Sequence, residues 1–191
     1  MIEEILQFDT ELFVYLNSLG STNFDFFWLS LSRPEANIIL YLLVLMLYIS
    51  IEPNKKSFVI NLLLSIIILV TISDQFSNIS KDFFQRLRPC FNESLIDSIR
   101  LVKDSCGGKY GFFSAHASNS FSLAIFFGLL LFKKNKLLIF LFALYAFFIS
   151  YSRIYLGVHY PIDILIGVFV GIVNGTFIYG AYLNTLNFFN K

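Results

Sequence analysis

Hydrophobic positions in this chain gather into long uncharged runs, not into the short alternating or one-faced patterns of a soluble domain. The runs are Ala36–Ile51, Ser57–Ser73, Ala117–Phe132, Leu137–Ser152 and Ile164–Asn190. A helix crossing a bilayer needs about 20 mostly apolar residues, and the shorter runs reach that length by taking in polar flanks. The pattern predicts an all-α integral membrane bundle with about five transmembrane helices. Before the first run the pattern changes. Ile2, Ile5, Leu6, Leu12, Phe13, Leu16 and Leu19 recur at near-helical spacing, with Glu3, Glu4, Asp9 and Glu11 between them. Residues 1–33 therefore read as an amphipathic interfacial segment or, equally, as a cap on the bundle. A second short element is predicted at Phe24–Leu31, ahead of Pro34. Glu3 and Glu4 stand where a leader would carry positive charge, so no signal peptide is predicted. With no repeat, linker or low-complexity tract, residues 1–191 read as a single domain.

Composition narrows the class. Hydrophobic residues make up 57% of the chain and charged residues 14%, with a mean hydropathy of +0.71. Soluble domains carry roughly 45–50% and about 25%. A disordered chain needs low hydrophobicity and high net charge. A basic nucleic-acid partner is excluded as well, because Lys+Arg 14 against Asp+Glu 13 leaves +1.

Charge placement gives a topology. Alternating the five spans puts the Glu52–Lys56 turn, Lys133, Lys134, Lys136 and Lys191 on one face. Apart from Glu52 that face is basic, and short basic loops favour the cytoplasm. The opposite face receives Lys81, Arg88, Ser114, His116, Arg153, His159 and Asp163. It is predicted to lie outside the cytoplasm. Cys90 and Cys106 fall in the loop on that face, where they can pair; two free thiols is the alternative.

Three motifs meet there. The first is Lys81-x6-Arg88-Pro89. Seven residues is almost two helical turns, so Lys81 and Arg88 are expected on one helix face. A point-charge lysine beside a forked arginine suits several phosphate oxygens. Arg86, between them, reads as a residue snorkelling at the end of the span. The second is Phe113-Ser114-Ala115-His116, where a loop becomes an apolar span. Ser114 stands at the N-cap, so its hydroxyl and the next backbone N–H groups face an anion. The third is Ser152-Arg153-x5-His159-Tyr160-Pro161-Ile162-Asp163. Pro161 suits the first helical turn, and Asp163 can hold the ring of His159. Each motif alone has a bland reading as a cap or an interfacial side chain. Both histidines of the chain nevertheless fall in this set.

The order and spacings resemble the type 2 phosphatidic acid phosphatase (PAP2) family. The middle motif departs from the family's usual Pro-Ser-Gly-His, and Ala115 adds a methyl group beside the phosphate. The resemblance implies a membrane lipid phosphatase acting through a phosphohistidine. It makes His159 the nucleophile, Asp163 its orienting partner, and His116 the acid and then the base. Lys81, Arg88, Ser114, Ala115 and Arg153 hold the phosphate. No metal or other cofactor is implied. An outward-facing site points first to undecaprenyl diphosphate in a bacterial inner membrane. Phosphatidylglycerophosphate, phosphatidic acid and lipid A phosphates are the alternatives, and a non-catalytic scaffold is a remote one. Asp74 and Asn174 sit within spans, with helix packing as the default reading. The stripe Asp163, Gly167, Gly171, Gly175 reads as helix packing inside the bundle or, less well, as a dimer seam.

Overall fold

The computed structural model describes residues 1–51, 56–103 and 105–189. Each uncharged run becomes a helix because no other backbone state satisfies its own polar groups in hydrocarbon. The elements are α1 (Ile2–Ser18), α2 (Thr22–Leu31), α3 (Pro34–Ile51), α4 (Lys56–Phe84), α5 (Ala115–Leu131), α6 (Leu137–Tyr155) and α7 (Pro161–Phe189), with two short 3-10 turns between α4 and α5. No strand occurs among the described residues. Within α4, α6 and α7, the stretches Phe58–Phe84, Leu137–Tyr155 and Pro161–Phe188 are long and apolar enough to cross a membrane. Two shorter apolar helices, Asn37–Ser50 and Ala115–Leu131, accompany them. The outer faces of α4 and α7 carry Ile60, Ile67, Phe169 and Phe177, all exposed as a lipid-facing surface should be. The Glu52–Lys55 turn and Lys191, which carry part of the charge asymmetry, lie outside the described residues.

The glycine stripe is consumed inside the bundle. A β-carbon on Gly167, Gly171 or Gly175 would stand 2.7, 2.6 or 2.5 Å from the carbonyl oxygens of Ser114, Ser118 and Ser122 on α5. The Ser122 hydroxyl donates to the Gly171 carbonyl at 3.1 Å. Asn174 continues the seam, donating to the Leu69 carbonyl at 2.9 Å. This close approach fixes α7 against α5, and so fixes the two histidine-bearing ends relative to each other. Gly171→Ala should therefore cost about 1–3 kcal/mol. Gly180→Ala, on the same helix with nothing within 4 Å, should be near neutral. Thermal unfolding of the two variants in detergent checks this.

One expectation changes. Helix α4 stops at Phe84, so Lys81 and Arg88 do not share a helix face. Gln85 takes φ 47°, a left-handed conformation that ends the helix. The chain then pairs with the loop ahead of α5. Arg88 N–H donates to the Lys109 carbonyl at 3.1 Å, and Gly111 N–H donates to the Arg86 carbonyl at 2.8 Å. Helix α1 acts as a cap. Its inward stripe is Asp9, Phe13 and Asn17, all buried, while Ile2, Ile5 and Leu6 stay on the outer side. Asn17 ties the cap down. Its amide donates to the carbonyls of Arg100, Ile154 and Tyr155, and accepts from the Arg100 N–H at 2.6 Å.

Candidate active site

Helix α7 opens at Pro161, whose missing N–H costs nothing in the first turn. His159 lies just before it, and Asp163 within that first turn. Their side chains approach at 3.4 Å, Nδ1 to Oδ2. The same carboxylate oxygen accepts the Tyr160 N–H at 3.1 Å, and its other oxygen accepts from Arg86 at 2.8 Å. Asp163 is thus anchored on both oxygens, and the far nitrogen of His159 is left for chemistry. Burial pushes the His159 imidazole down to about 4, with Arg88 and Arg153 adding to the shift and Asp163 opposing it. The ring is neutral at neutral pH.

Arg86 is not a snorkelling residue. Its guanidinium bridges Asp163 at 2.8 Å and Asp9 at 2.5 Å, and lies 4.2 Å over the Tyr160 ring. Asp9 in turn accepts the Ile162 N–H at 2.8 Å. A chain Asp9–Arg86–Asp163–His159 therefore runs from the N-terminal cap to the imidazole ring.

Ser114 takes the predicted N-cap of α5, accepting the Ala117 N–H at 3.4 Å. Its own N–H donates to the Asp163 carbonyl at 3.1 Å, stitching the two motifs together. The Ser77 hydroxyl on α4 holds the Phe113 carbonyl at 2.9 Å. His116 follows in the first turn of α5, hydrogen-bonded to the Ser32 backbone and within the fields of Arg153, His159 and Lys103. Ala115 and His116 both line a cavity that enters the bundle from this end.

The cations converge. Arg88 is buried and donates to the Tyr110 carbonyl at 3.1 Å and the Cys106 carbonyl at 2.8 Å. Arg153 is buried on α6, with one nitrogen on the Ser32 hydroxyl and its Nε unpartnered. Lys81 interacts electrostatically with both arginines. Among the described residues none of the three forms an ion pair with a carboxylate. Three like charges, the buried Arg88 and Arg153 and the half-buried Lys81, beside a neutral imidazole make a site for a multiply charged anion.

Sequence reasoning missed several contributors. Lys103 sits near Arg88, Arg153 and His116; burial and the two guanidiniums push its ammonium down. Ser32 bridges Arg153 and His116. Gly111 is tightly packed against the site, since a β-carbon there would lie 3.0 Å from Arg88, 3.2 Å from Asp163 and 3.5 Å from His159. Only Gly111 leaves a sequence signal, as a glycine two residues ahead of a catalytic-looking motif.

Cys90 and Cys106 form a disulfide across a 16-residue separation. The bridge holds the loop whose Cys106 carbonyl accepts from Arg88. Opening it should cost about 3 kcal/mol and loosen the Arg88 guanidinium. Cys90→Ser with Cys106→Ser should raise KM severalfold and lower the melting temperature; unchanged values of both would dismiss the coupling. Among the described residues no three His, Cys, Asp or Glu side chains are grouped to hold a metal ion.

Comparison with known proteins gives the family. The PAP2 superfamily model matches residues 58–186. A lipid A 4'-phosphatase of Porphyromonas gingivalis is 34% identical over 184 residues, covering 95% of this chain and 76% of that protein. Its counterpart in Bacteroides thetaiotaomicron is 35% identical over 181 residues, covering 94% and 79%. The crystal structure of Aquifex aeolicus LpxE superposes with a TM-score of 0.65 at 26% identity, over 88% of this chain and 93% of that one. The fold is also that of a PAP2-type phosphatidylglycerolphosphate phosphatase from Bacillus subtilis, with a TM-score of 0.74 at 16% identity over 93% and 85%. With the motifs, the membrane helices and these relatives in agreement, the chain belongs to the PAP2 superfamily and is a membrane lipid phosphatase.

Proposed function

We propose that this single-domain enzyme removes a phosphate group from a lipid A-type glycolipid at the outer face of a bacterial inner membrane. The observation that carries the reading is the trio Lys81, Arg88 and Arg153, converging on neutral His159 with no carboxylate paired to them among the described residues. The names of the two curated relatives favour a glycolipid phosphate over undecaprenyl diphosphate, which becomes the second reading. The Cys90–Cys106 bridge supports an oxidising compartment for this face.

His159 attacks phosphorus through Nε2, and the bond from phosphorus to the lipid oxygen breaks as the new N–P bond forms. His116 gives its proton to the departing oxygen. Asp163 holds Nδ1–H and stabilises the charge on the ring. Water, deprotonated by His116, then attacks phosphorus; the N–P bond breaks and phosphate leaves. Lys81, Arg88, Arg153, Ser114 and the backbone N–H groups near Ala115 hold the oxygens throughout. Such transition states are loose, so positioning and charge stabilisation do most of the work. The cations perform the charge neutralisation that a metal performs elsewhere, so EDTA should leave turnover unchanged.

The test is phosphate release by the purified protein from lipid A, undecaprenyl diphosphate, phosphatidylglycerophosphate and phosphatidic acid. Highest kcat/KM on lipid A supports the assignment, and highest kcat/KM on any other member overturns it. Lys103→Ala should raise KM about tenfold if its ammonium is a fourth contact of the phosphate. An unchanged KM would remove Lys103 from the site.

A further inference from the structure

A cavity of about 480 Å³ opens beside His116 and runs down between α3, α4 and α5. Its walls are mostly apolar, with Tyr41, Leu45, Ile66, Val70, Leu123 and Phe127 among them. Below His116 the polar side chains of the lining are Asn37, Tyr41, Asp74, Asn119 and Ser120. Asn37, Tyr41 and Ser120 donate to the carbonyls of Leu31 and Arg33, of Ser120 and of Ala117, which leaves Asp74 of α4 and Asn119 of α5. Asn119 Nδ2 donates to Asp74 Oδ1 at 2.7 Å, which is the expected helix-packing bond. That bond leaves acceptors over. Asn119 Oδ1 is buried with no partner. The half-buried Asp74 lies in the field of Lys81 and takes its hydrogen bond from Asn119 on Oδ1, with Oδ2 left for the cavity.

Unpaired acceptors within a bilayer carry a desolvation cost that no water offsets. An ionisable residue at that depth is retained for a reason. The pair is also well placed. Asn119 follows His116 by three residues, about 4.5 Å along the helix. It therefore sits one turn below the side where the lipid oxygen departs. We propose that this cavity receives an acyl chain bearing a hydrogen-bond donor near its head, and that Asp74 and Asn119 read that donor. The donor is a chain hydroxyl or an amide N–H within the first few bonds of the chain attached beside the phosphoester. A polyprenyl chain or a plain ester-linked acyl chain offers only C–H groups, and leaves both acceptors unsatisfied. The proposal rests on the glycolipid reading and narrows it: the headgroup end is read as phosphate, the chain as a donor.

The experiment compares kcat/KM of the purified full-length protein on matched glucosamine-based glycolipid phosphates. One parent carries amide-linked 3-hydroxyacyl chains, a second lacks the 3-hydroxyl, and a third has esters in place of amides. Undecaprenyl diphosphate is run beside them. Wild type should prefer the parent over at least one analogue by tenfold or more. Asp74→Leu and Asn119→Leu should bring that ratio to within about twofold of one. The ratio is the decisive readout, because any effect of Asp74 on Lys81 acts on all substrates and cancels. Which analogue loses activity identifies the donor. Equal turnover of all three glycolipids by wild type overturns the proposal while leaving the glycolipid reading intact. So does a preference that both leucine variants retain. Should a variant fail to fold, the wild-type ratio still decides. Cleavage of undecaprenyl diphosphate with no glycolipid cleaved overturns the glycolipid reading itself, and the donor proposal with it.

Discussion

Replacing His159 by alanine should lower phosphate release by about 10⁴-fold or more, while the protein still inserts and folds. The ring makes a single hydrogen bond among the described residues, to Asp163, which keeps its anchors on Arg86 and the Tyr160 N–H. The effect should therefore fall on chemistry, not on architecture. Brief incubation with labelled substrate should trap an acid-labile phosphoryl group on wild type and none on the variant. Full turnover by His159→Ala would remove the residue from the reaction. The pH dependence follows from the buried ring. With its value pushed down to about 4, His159 stays neutral through the neutral range. The acid limb of kcat/KM that belongs to it should lie below about pH 5, not near 6.5. Stability moves the same way. Between about 4 and 6.5 the unfolded chain binds a proton at this position that the folded chain does not, so acid weakens the fold.

Much of this site was legible because its parts are local. The His159–Asp163 pair is one helical turn, the Ser114 cap is a loop-to-span boundary, and the glycine stripe has a fixed period. Spacing rules see such features directly. The topology then carried them to one end of the bundle by counting spans. What stayed hidden depends on contacts between distant segments. Arg86 and its two carboxylates are 77 residues apart in either direction, and no periodicity joins them. Asp9 looked solvent-facing because an amphipathic pattern assigns polar residues outward. Here the helix lies on a polar surface made by loops, so the stripe Asp9, Phe13, Asn17 turns inward. The break at Gln85 was hidden because a glutamine with positive φ leaves no mark in the sequence. Ser32 and Lys103 have the same character: each is an ordinary loop residue until the fold places it beside Arg153.

Arg86→Leu should be the most damaging substitution to stability among the charged residues. It leaves Asp9 and Asp163, 1% and 0% exposed, without their shared counter-charge. Breaking a buried pair in this way costs about 3–5 kcal/mol. Burial already pushes the Asp9 carboxyl up, and the Asp163 charge pushes it the same way. Without Arg86 only the Ile162 N–H bond opposes that push. Activity should fall with stability, because Asp163 loses one of its two anchored oxygens and His159 its fixed partner. Arg86→Lys should recover only part, since an ammonium cannot fork to two carboxylates at once. A residue that merely snorkelled would tolerate leucine with less than about 1 kcal/mol of change. Asp9→Asn separates the two accounts. If Arg86 acts as the bridge, removing the Asp9 charge in the Arg86→Leu background should restore part of the lost stability. The same change in the wild-type background should be destabilising. That opposite sign, read from detergent melting curves of the four proteins, is a coupling that two independent surface charges do not produce.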